Sequence, residues 1–209
     1  MDMLIIGAGG HGKVVADVVA CEGRHRVVGF LDSDTALHGT NVAGVPVLGG
    51  VNQLLKLKQK IRGVVIAIGD NAVRQRYSQE MIDIGMELIT CVHPRASVAS
   101  SAVLGRGVVV CAMAVVGVDT TVGDACVINT SAVVDHECVI GDAVHICPGA
   151  VLAGRVRVGD RAFIGMGAKI IQCISVGATA IIGAGAVVTV DLPERVTAVG
   201  IPARVIKRN

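Results

Sequence analysis

An aliphatic residue returns at every sixth position from Val98 to Val188: Val98, Leu104, Val110, Val116, Val122, Ile128, Val134, Ile140, Ile146, Leu152, Val158, Ile164, Ile170, Val176, Ile182 and Val188. A period near 3.6 would mark a helix and a period of 2 a half-buried strand, whereas a fixed longer repeat marks a solenoid whose units stack on one another. Gly often follows the aliphatic residue, as in Val116-Gly117, Ile140-Gly141 and Val158-Gly159, and two positions before it stands a mostly small residue such as Ala114, Thr120, Cys126, Ala132 or Cys138. The pattern predicts coils of three short strands, each aiming one aliphatic side chain inward. The small residue fits a narrow corner, and Gly permits close backbone approach or a turn. Phe30, Tyr77 and Phe163 are the only aromatic residues, so the core must be stacked Val, Ile, Leu and Ala.

Before His93-Pro94 the pattern is different, which predicts two domains, 1–93 and 94–209. The first begins with an apolar strand, Leu4-Ile5-Ile6, followed by the turn Gly7-Ala8-Gly9-Gly10-His11-Gly12 and an amphipathic helix over Lys13 to Cys21. Strand, glycine turn and helix in this order form a nucleotide-binding arrangement, with backbone N–H groups at the helix start facing phosphate. A second apolar run, Val27 to Leu31, ends at Asp32, about 20 residues after the glycines, where an acidic group can reach a ribose hydroxyl. Val64 to Ile68 reads as a third strand closing on Gly69-Asp70-Asn71, Arg74 to Ile84 as a helix, and Leu88 to Val92 as a final strand. A domain of about 90 residues has room for one mononucleotide half but hardly for the paired halves that hold NAD. A nucleotide attached to something else fits better, and the plain alternative is that the glycines only let strand and helix pack tightly.

Most solenoid positions are small or aliphatic, so the segment Asn129 to Cys138 stands apart. His136 falls two positions after the inward Val134, at an outward corner, and Glu137 follows it. Imidazole is the usual side chain for taking a proton near neutral pH, and a neighbouring carboxylate makes it a stronger base. His145 comes nine residues later, immediately before the inward Ile146, and is expected to point outward from a strand. Nine residues are half of an 18-residue coil. The two imidazoles therefore cannot easily converge within one chain, although they could across a subunit boundary. Ser131 and Cys138 are expected in packing positions and have no evident paired base.

Composition narrows the class. Net charge is +2 and spread along the chain, with no basic stripe for nucleic acid. The apolar runs are short and interrupted, well below the about 18 residues that span a bilayer, and Met1-Asp2-Met3-Leu4 leads directly into a strand without a secretory pattern. The seven cysteines include no CxxC pair, which reads as reduced, packed thiols in a cytoplasm. His136-Glu137-Cys138 and His145-Ile146-Cys147 both contain His-x-Cys, but Cys138 is expected inward and Cys147 outward. That offset opposes a tetrahedral metal site, and no metal is expected.

The run Gly7 to Val14 (GAGGHGKV), joined directly to an uninterrupted hexapeptide solenoid and ending in Gly200-Ile201-Pro202-Ala203-Arg204, resembles the PglD/NeuD-type sugar acetyltransferases of the hexapeptide-repeat acyltransferase superfamily. The resemblance covers essentially the whole chain. It implies a Rossmann-like α/β domain followed by a left-handed parallel β-helix, acetyl-CoA as co-substrate and a nucleotide-linked 4-amino-4,6-dideoxy sugar as acceptor. It further implies a homotrimer with shared active sites, serving bacterial glycan precursor synthesis. A sialic acid O-acetyltransferase of the same fold, or a non-enzymatic nucleotide-binding β-helix, are the alternatives. Carried onto this sequence, the resemblance makes His136 the general base and Glu137 its acid partner. It places acetyl-CoA contacts at His145, Met166 and Ala184. Gly154, at a corner one coil after His136, is expected to offer its backbone N–H to the thioester oxygen. The nucleotide contacts fall at Gly9, Gly10, His11, Asp32, Ser33 and Gly69. Some relatives carry a second acidic residue beside Asp32, where this chain has Ser33 followed by Asp34.

Overall fold

The computed structural model describes residues 1–61 and 63–208. Two compact units divide the chain, Met1–Pro94 and the stretch from Arg95 onward. Among the described residues no helix is long and apolar enough to cross a membrane.

The first unit contains, in order, β1 (Asp2–Ile6), α1 (Gly10–Glu22), β2 (Arg26–Leu31), β3 (Asn41–Val42), β4 (Val45–Pro46), α2 (Leu54–Leu57), β5 (Gly63–Ile66), α3 (Asn71–Asp83), β6 (Glu87–Leu88) and β7 (Cys91–Val92). Its sheet runs β2-β1-β5-β6, and every pair is parallel. Strands buried on both faces read as continuous apolar runs, and Leu4, Ile6, Leu31, Val64 and Ile66 join Met81 of α3 in one core cluster. Gly12 is buried against β1, where a β-carbon would collide with the carbonyl of Gly7, so this glycine sets how closely α1 lies on the sheet. The helix starts earlier than the amphipathic pattern suggests, because Gly10, His11 and Gly12 already belong to its first turn. The strand expected over Leu88 to Val92 is broken into β6 and β7. The hairpin β3–β4 turns on Ala43 and Gly44, both at positive φ. That is the twist a two-residue hairpin favours, but the sequence lacks the usual Asn-Gly signal.

In the second unit each inward aliphatic residue lies in a two-residue strand, and each strand from Ser97–Val98 to Lys169–Ile170 pairs in parallel with the strand 18 positions on. One ladder runs Val115↔Val133↔Val151↔Lys169↔Val187, a second Thr121↔Val139↔Arg157↔Ser175, and a third Val109↔Val127↔His145↔Phe163↔Ile181. Three sheets thus wall a rod filled by Val110, Val116, Val122, Ile128, Val134, Ile140 and their repeats, all essentially excluded from solvent. Val196–Val199 continues the third ladder beside Ile181–Ile182 and pairs antiparallel with Arg204–Arg208.

The corners follow a rule of their own. Every sixth residue from Gly107 to Gly185 has positive φ, and only Gly107, Gly149, Gly167 and Gly185 among them are glycine. The others, including Met113, Ser131, Glu137, Arg155 and Cys173, each carry a cost of roughly 1–2 kcal/mol for the left-handed conformation. The return is a backbone hydrogen bond to the preceding coil, as in Glu137 N to Val118 O (2.8 Å) and Arg155 N to His136 O (2.9 Å). Ser131 is therefore an exposed corner residue and not a packing one.

The glycines that follow the aliphatic residues serve close approach instead. A β-carbon on Gly117 would stand 2.7 Å from the backbone of Asp135 and His136 one coil on. On the third corner Asp124, Asp142 and Asp160 form a ladder, each carboxylate accepting a backbone N–H from the preceding coil (2.7, 2.8 and 2.9 Å).

Candidate active site

The corner between Val133–Val134 and Val139–Ile140 holds the candidate imidazole and carboxylate, and a buried hydroxyl one coil earlier fixes its shape. Thr120 is fully excluded from solvent. Its Oγ1 donates to the Asp135 carbonyl (2.6 Å) and accepts from the Cys138 N–H (3.1 Å), so it brackets the two residues between them. Those two residues are His136 and Glu137. Asp135 turns back on the same corner, its Oδ1 accepting the His136 backbone N–H at 2.8 Å.

His136 Nδ1 lies 2.9 Å from Glu137 Oε2, and both side chains are about half exposed, 49% and 46%. An ionised carboxylate offers only acceptors, so Nδ1 carries the proton and Nε2 keeps its lone pair. The same Oε2 accepts a second bond from Arg155 Nε at 3.0 Å, from the following coil. These bonds, the one from His136 first and the one from Arg155 next, hold the Glu137 carboxyl below its ordinary range. Gly154 precedes Arg155, and any β-carbon there would overlap Cε1 and Nε2 of the His136 ring. His136, Glu137 and Gly154 are thus brought together, and Arg155 and Thr120 join them. Sequence reading missed both of the latter. Thr120 looked like one more small corner residue, and only the 18-residue offset between Glu137 and Arg155 could have paired those two.

His145 is not the surface histidine that its strand position suggests. It is 8% exposed, and Cys147, also expected outward, is 4% exposed. Its ring meets Phe163 edge-on at 5.4 Å, one coil along the same ladder. Asn129 Oδ1 accepts the Thr130 N–H (2.8 Å), which turns its amide nitrogen toward His145 Nε2 at 3.1 Å. That donor makes Nε2 an acceptor and fixes the neutral tautomer with the proton on Nδ1. Asn129 was visible as the start of the polar segment, but its partner was not. Met166 and Ala184 are exposed and stack on one corner, with Gly185 N donating to Met166 O at 2.8 Å. A β-carbon on the neighbouring Gly167 or Gly185 would meet nothing within 4 Å. Within one chain His136 and His145 remain apart, one on the corner between two sheets and the other on the face of the third.

In the first unit a cavity of about 400 Å³ is bordered by Gly7, Gly9, Asp32, Ser33, Arg76 and Tyr77. Arg76 and Tyr77 were not expected there; a lone tyrosine on an amphipathic helix was the only available signal. Gly9, Gly10 and Gly69 face open space, so neither packing nor turn geometry demands glycine at these positions. Asp32 is engaged by the protein itself: Oδ2 accepts from Ala8 N (2.6 Å) and Oδ1 from Asp34 N (2.8 Å). His11 sits in the first turn of α1, where burial, with the Arg74 guanidinium adding to it, pushes its imidazole down to about 4. Arg74 is itself buried and ties the loop after β5 through Ile68 O (2.9 Å) and Asn71 Oδ1 (2.8 Å).

Cys173 touches the Arg155 guanidinium, whereas the buried thiols point elsewhere. Cys138 is buried with Sγ donating to Ala153 O (3.3 Å), and burial raises its pKa. Cys111 is pushed up to about 11 and Cys91 to about 12, again chiefly by burial. Among the described residues only Asp17, Cys21 and His93 bring three metal-binding atoms within 4.8 Å of one another, one donor fewer than a structural zinc site uses.

A three-sheet hexapeptide rod with an imidazole–carboxylate corner, joined to a strand–glycine–helix unit, defines a left-handed β-helix acyltransferase with a Rossmann-like partner domain. Residues 2–81 match the PglD N-terminal domain family. PerB from Caulobacter crescentus, solved with CoA and GDP-perosamine, is 43% identical, with a TM-score of 0.94 over 99% of this chain and 98% of that one. The acetyltransferase domain of PglB from Neisseria gonorrhoeae, solved with acetyl coenzyme A, is 40% identical, with a TM-score of 0.94 over 98% of each chain. UDP-N-acetylbacillosamine N-acetyltransferase of Bacillus subtilis is 39% identical over 115 residues, a match that spans about half of each protein (53% of this chain and 51% of that one). The chain belongs to the PglD/NeuD-type sugar acetyltransferases.

Proposed function

We propose that the protein transfers an acetyl group from acetyl-CoA to the amine of a nucleotide-linked 4-amino-4,6-dideoxy sugar, with His136 as general base. The observation that carries this reading is the corner itself: an exposed imidazole whose Nδ1 is tied to Glu137 at 2.9 Å, leaving Nε2 to accept a proton. Relatives solved with CoA, acetyl coenzyme A and GDP-perosamine support the substrate class.

As the amine nitrogen bonds to the thioester carbon and the carbon–sulfur bond breaks, His136 Nε2 takes the amine proton and can return it to the departing sulfur. Such proton transfer is worth roughly 10² to 10⁴ in rate. Glu137 orients the ring and stabilises the imidazolium that forms. No covalent acyl-enzyme is needed, and buried Cys138 offers none. The Gly154 N–H is the proposed donor to the thioester oxygen. His145, Met166 and Ala184 are assigned to acetyl-CoA, and the open corner at Gly167 and Gly185 leaves room for it.

The nucleotide is assigned to the cavity at Gly9, Asp32 and Ser33, with Gly10, His11 and Gly69 around the helix start. There the unobstructed glycines allow a phosphate to approach the backbone. With both Asp32 oxygens already engaged, its role is to shape the turn as much as to meet a ribose. A homotrimer fits the separation of His136 from His145 and the exposed apolar side chains of the rod, Val103, Val118, Val139 and Met166. We assign the protein to the cytoplasm and to glycan precursor synthesis.

The test is CoA release measured against a panel of GDP- and UDP-linked amino sugars, with a sialic acid as hydroxyl acceptor. Turnover with an amino sugar, abolished by His136→Asn, is the expected result. Turnover with the hydroxyl acceptor alone would replace this reading, and light scattering that returns a monomer would undo the shared site.

A further inference from the structure

Glu137 places one oxygen, Oε2, in contact with two donors at once, His136 Nδ1 at 2.9 Å and Arg155 Nε at 3.0 Å. A carboxylate beside an imidazole has two effects that oppose each other in a base. It orients the ring, but it also favours the charged form, which has no lone pair left to accept a proton. A guanidinium on the same oxygen keeps the orientation and weakens the charge effect.

The groups around this corner are few. Asp135 lies on the strand end, with its Oδ1 on the His136 backbone. The coil before brings Val118 and Asp119, with Val118 O bonded to Glu137 N. The coil after brings Gly154 beneath the ring and Arg155 beneath Glu137. Cys173, one coil further, touches the Arg155 guanidinium. Among these groups of the described chain Arg155 is the single cation, against the carboxylates of Asp119, Asp135 and Glu137.

We propose that Arg155 is a positioning residue for the general base: it anchors Glu137 Oε2 against the His136 ring and offsets the local carboxylate charge. The inference rests on the acetyl-transfer reading for its kinetic consequence but not for its electrostatic one. Because the three side chains are about half or more exposed, the effect is modest. A unit charge acting across roughly 6 Å of water-like surroundings amounts to about half a pH unit. Salt weakens it further.

The experiment follows the His136 ring by NMR titration in the parent protein, Arg155→Gln and Arg155→Lys, with the signal assigned by its loss in His136→Asn. The expected result is a midpoint about half a pH unit higher in Arg155→Gln, smaller in 1 M salt, and restored by Arg155→Lys. In turnover the acid limb of the kcat profile moves the same way, the rates converge to within about twofold two units above that limb, and KM for acetyl-CoA is unchanged. An unmoved midpoint overturns the proposal. Should the parent show no acetyl transfer, the functional reading fails, while the ring titration still decides the role of Arg155.

Discussion

The imidazole of His136 rests on the bare α-carbon of Gly154, one coil further along the rod. No side chain larger than hydrogen fits at that position without overlapping Cε1 and Nε2 of the ring. The ring is flanked by Glu137 at Nδ1 and by this glycine at its Cε1–Nε2 edge.

Gly154→Ala is therefore expected to leave the rod folded, because Gly154 is not a positive-φ position, but to displace the ring. Loss of general-base alignment should lower kcat about 10- to 100-fold with KM for acetyl-CoA little changed. Steady-state kinetics alongside circular dichroism would check this, and a kcat within twofold of the parent would mean that the ring does not need that space.

Thr120→Val removes a buried hydroxyl while keeping its shape, and leaves the Cys138 N–H and the Asp135 carbonyl without their partner. An unsatisfied buried polar group costs about 1–3 kcal/mol, so a lower midpoint in denaturant is expected together with reduced kcat. Thr120→Ser should recover both. Recovery of stability without recovery of rate would separate the hydroxyl from the His136 corner.

His11 links stability to pH. Its imidazole is held near 4 in the folded chain against 6.5 ordinarily, so between those values the unfolded chain binds a proton that the folded chain does not. Stability from this group is complete above pH 6.5 and falls as pH drops toward 4, by up to about 3 kcal/mol. Denaturant melts at pH 7 and pH 4.5 should show that decline, and His11→Asn should flatten it. An equal slope in the variant would place the titration elsewhere.

Cys138→Ala should retain turnover within about twofold, because the buried thiol serves packing. Loss of its methylene-sized contact is expected to cost roughly 1 kcal/mol in stability. A collapse of kcat comparable to that of His136→Asn would instead implicate the sulfur in the reaction.

The rod was legible because its physical cause is periodic. A residue that must point inward once per six recurs where anyone reading the chain can see it, from Val98 to Val188, and His136 was legible because it interrupts that monotony. The first unit was legible as strand, glycine turn and helix, although α1 starts at Gly10 and β6 and β7 replace one expected strand. The corners were not legible as such. Their left-handed residues range over Met113, Ser131, Glu137 and Arg155, with nothing in common chemically, since what selects them is a backbone bond to the coil before.

Composition and period alone determined that the chain forms a stacked aliphatic rod following a small α/β unit in sequence, because both depend on local geometry repeated along the chain. Tertiary structure alone decided which residues 18 apart become neighbours: Thr120 under the His136 corner, Gly154 against its ring, Arg155 on its carboxylate, and the burial of His145 beside Phe163. Those pairings depend on coil-to-coil register. Spacing can allow such a register, but only the stacked backbone hydrogen bonds select it.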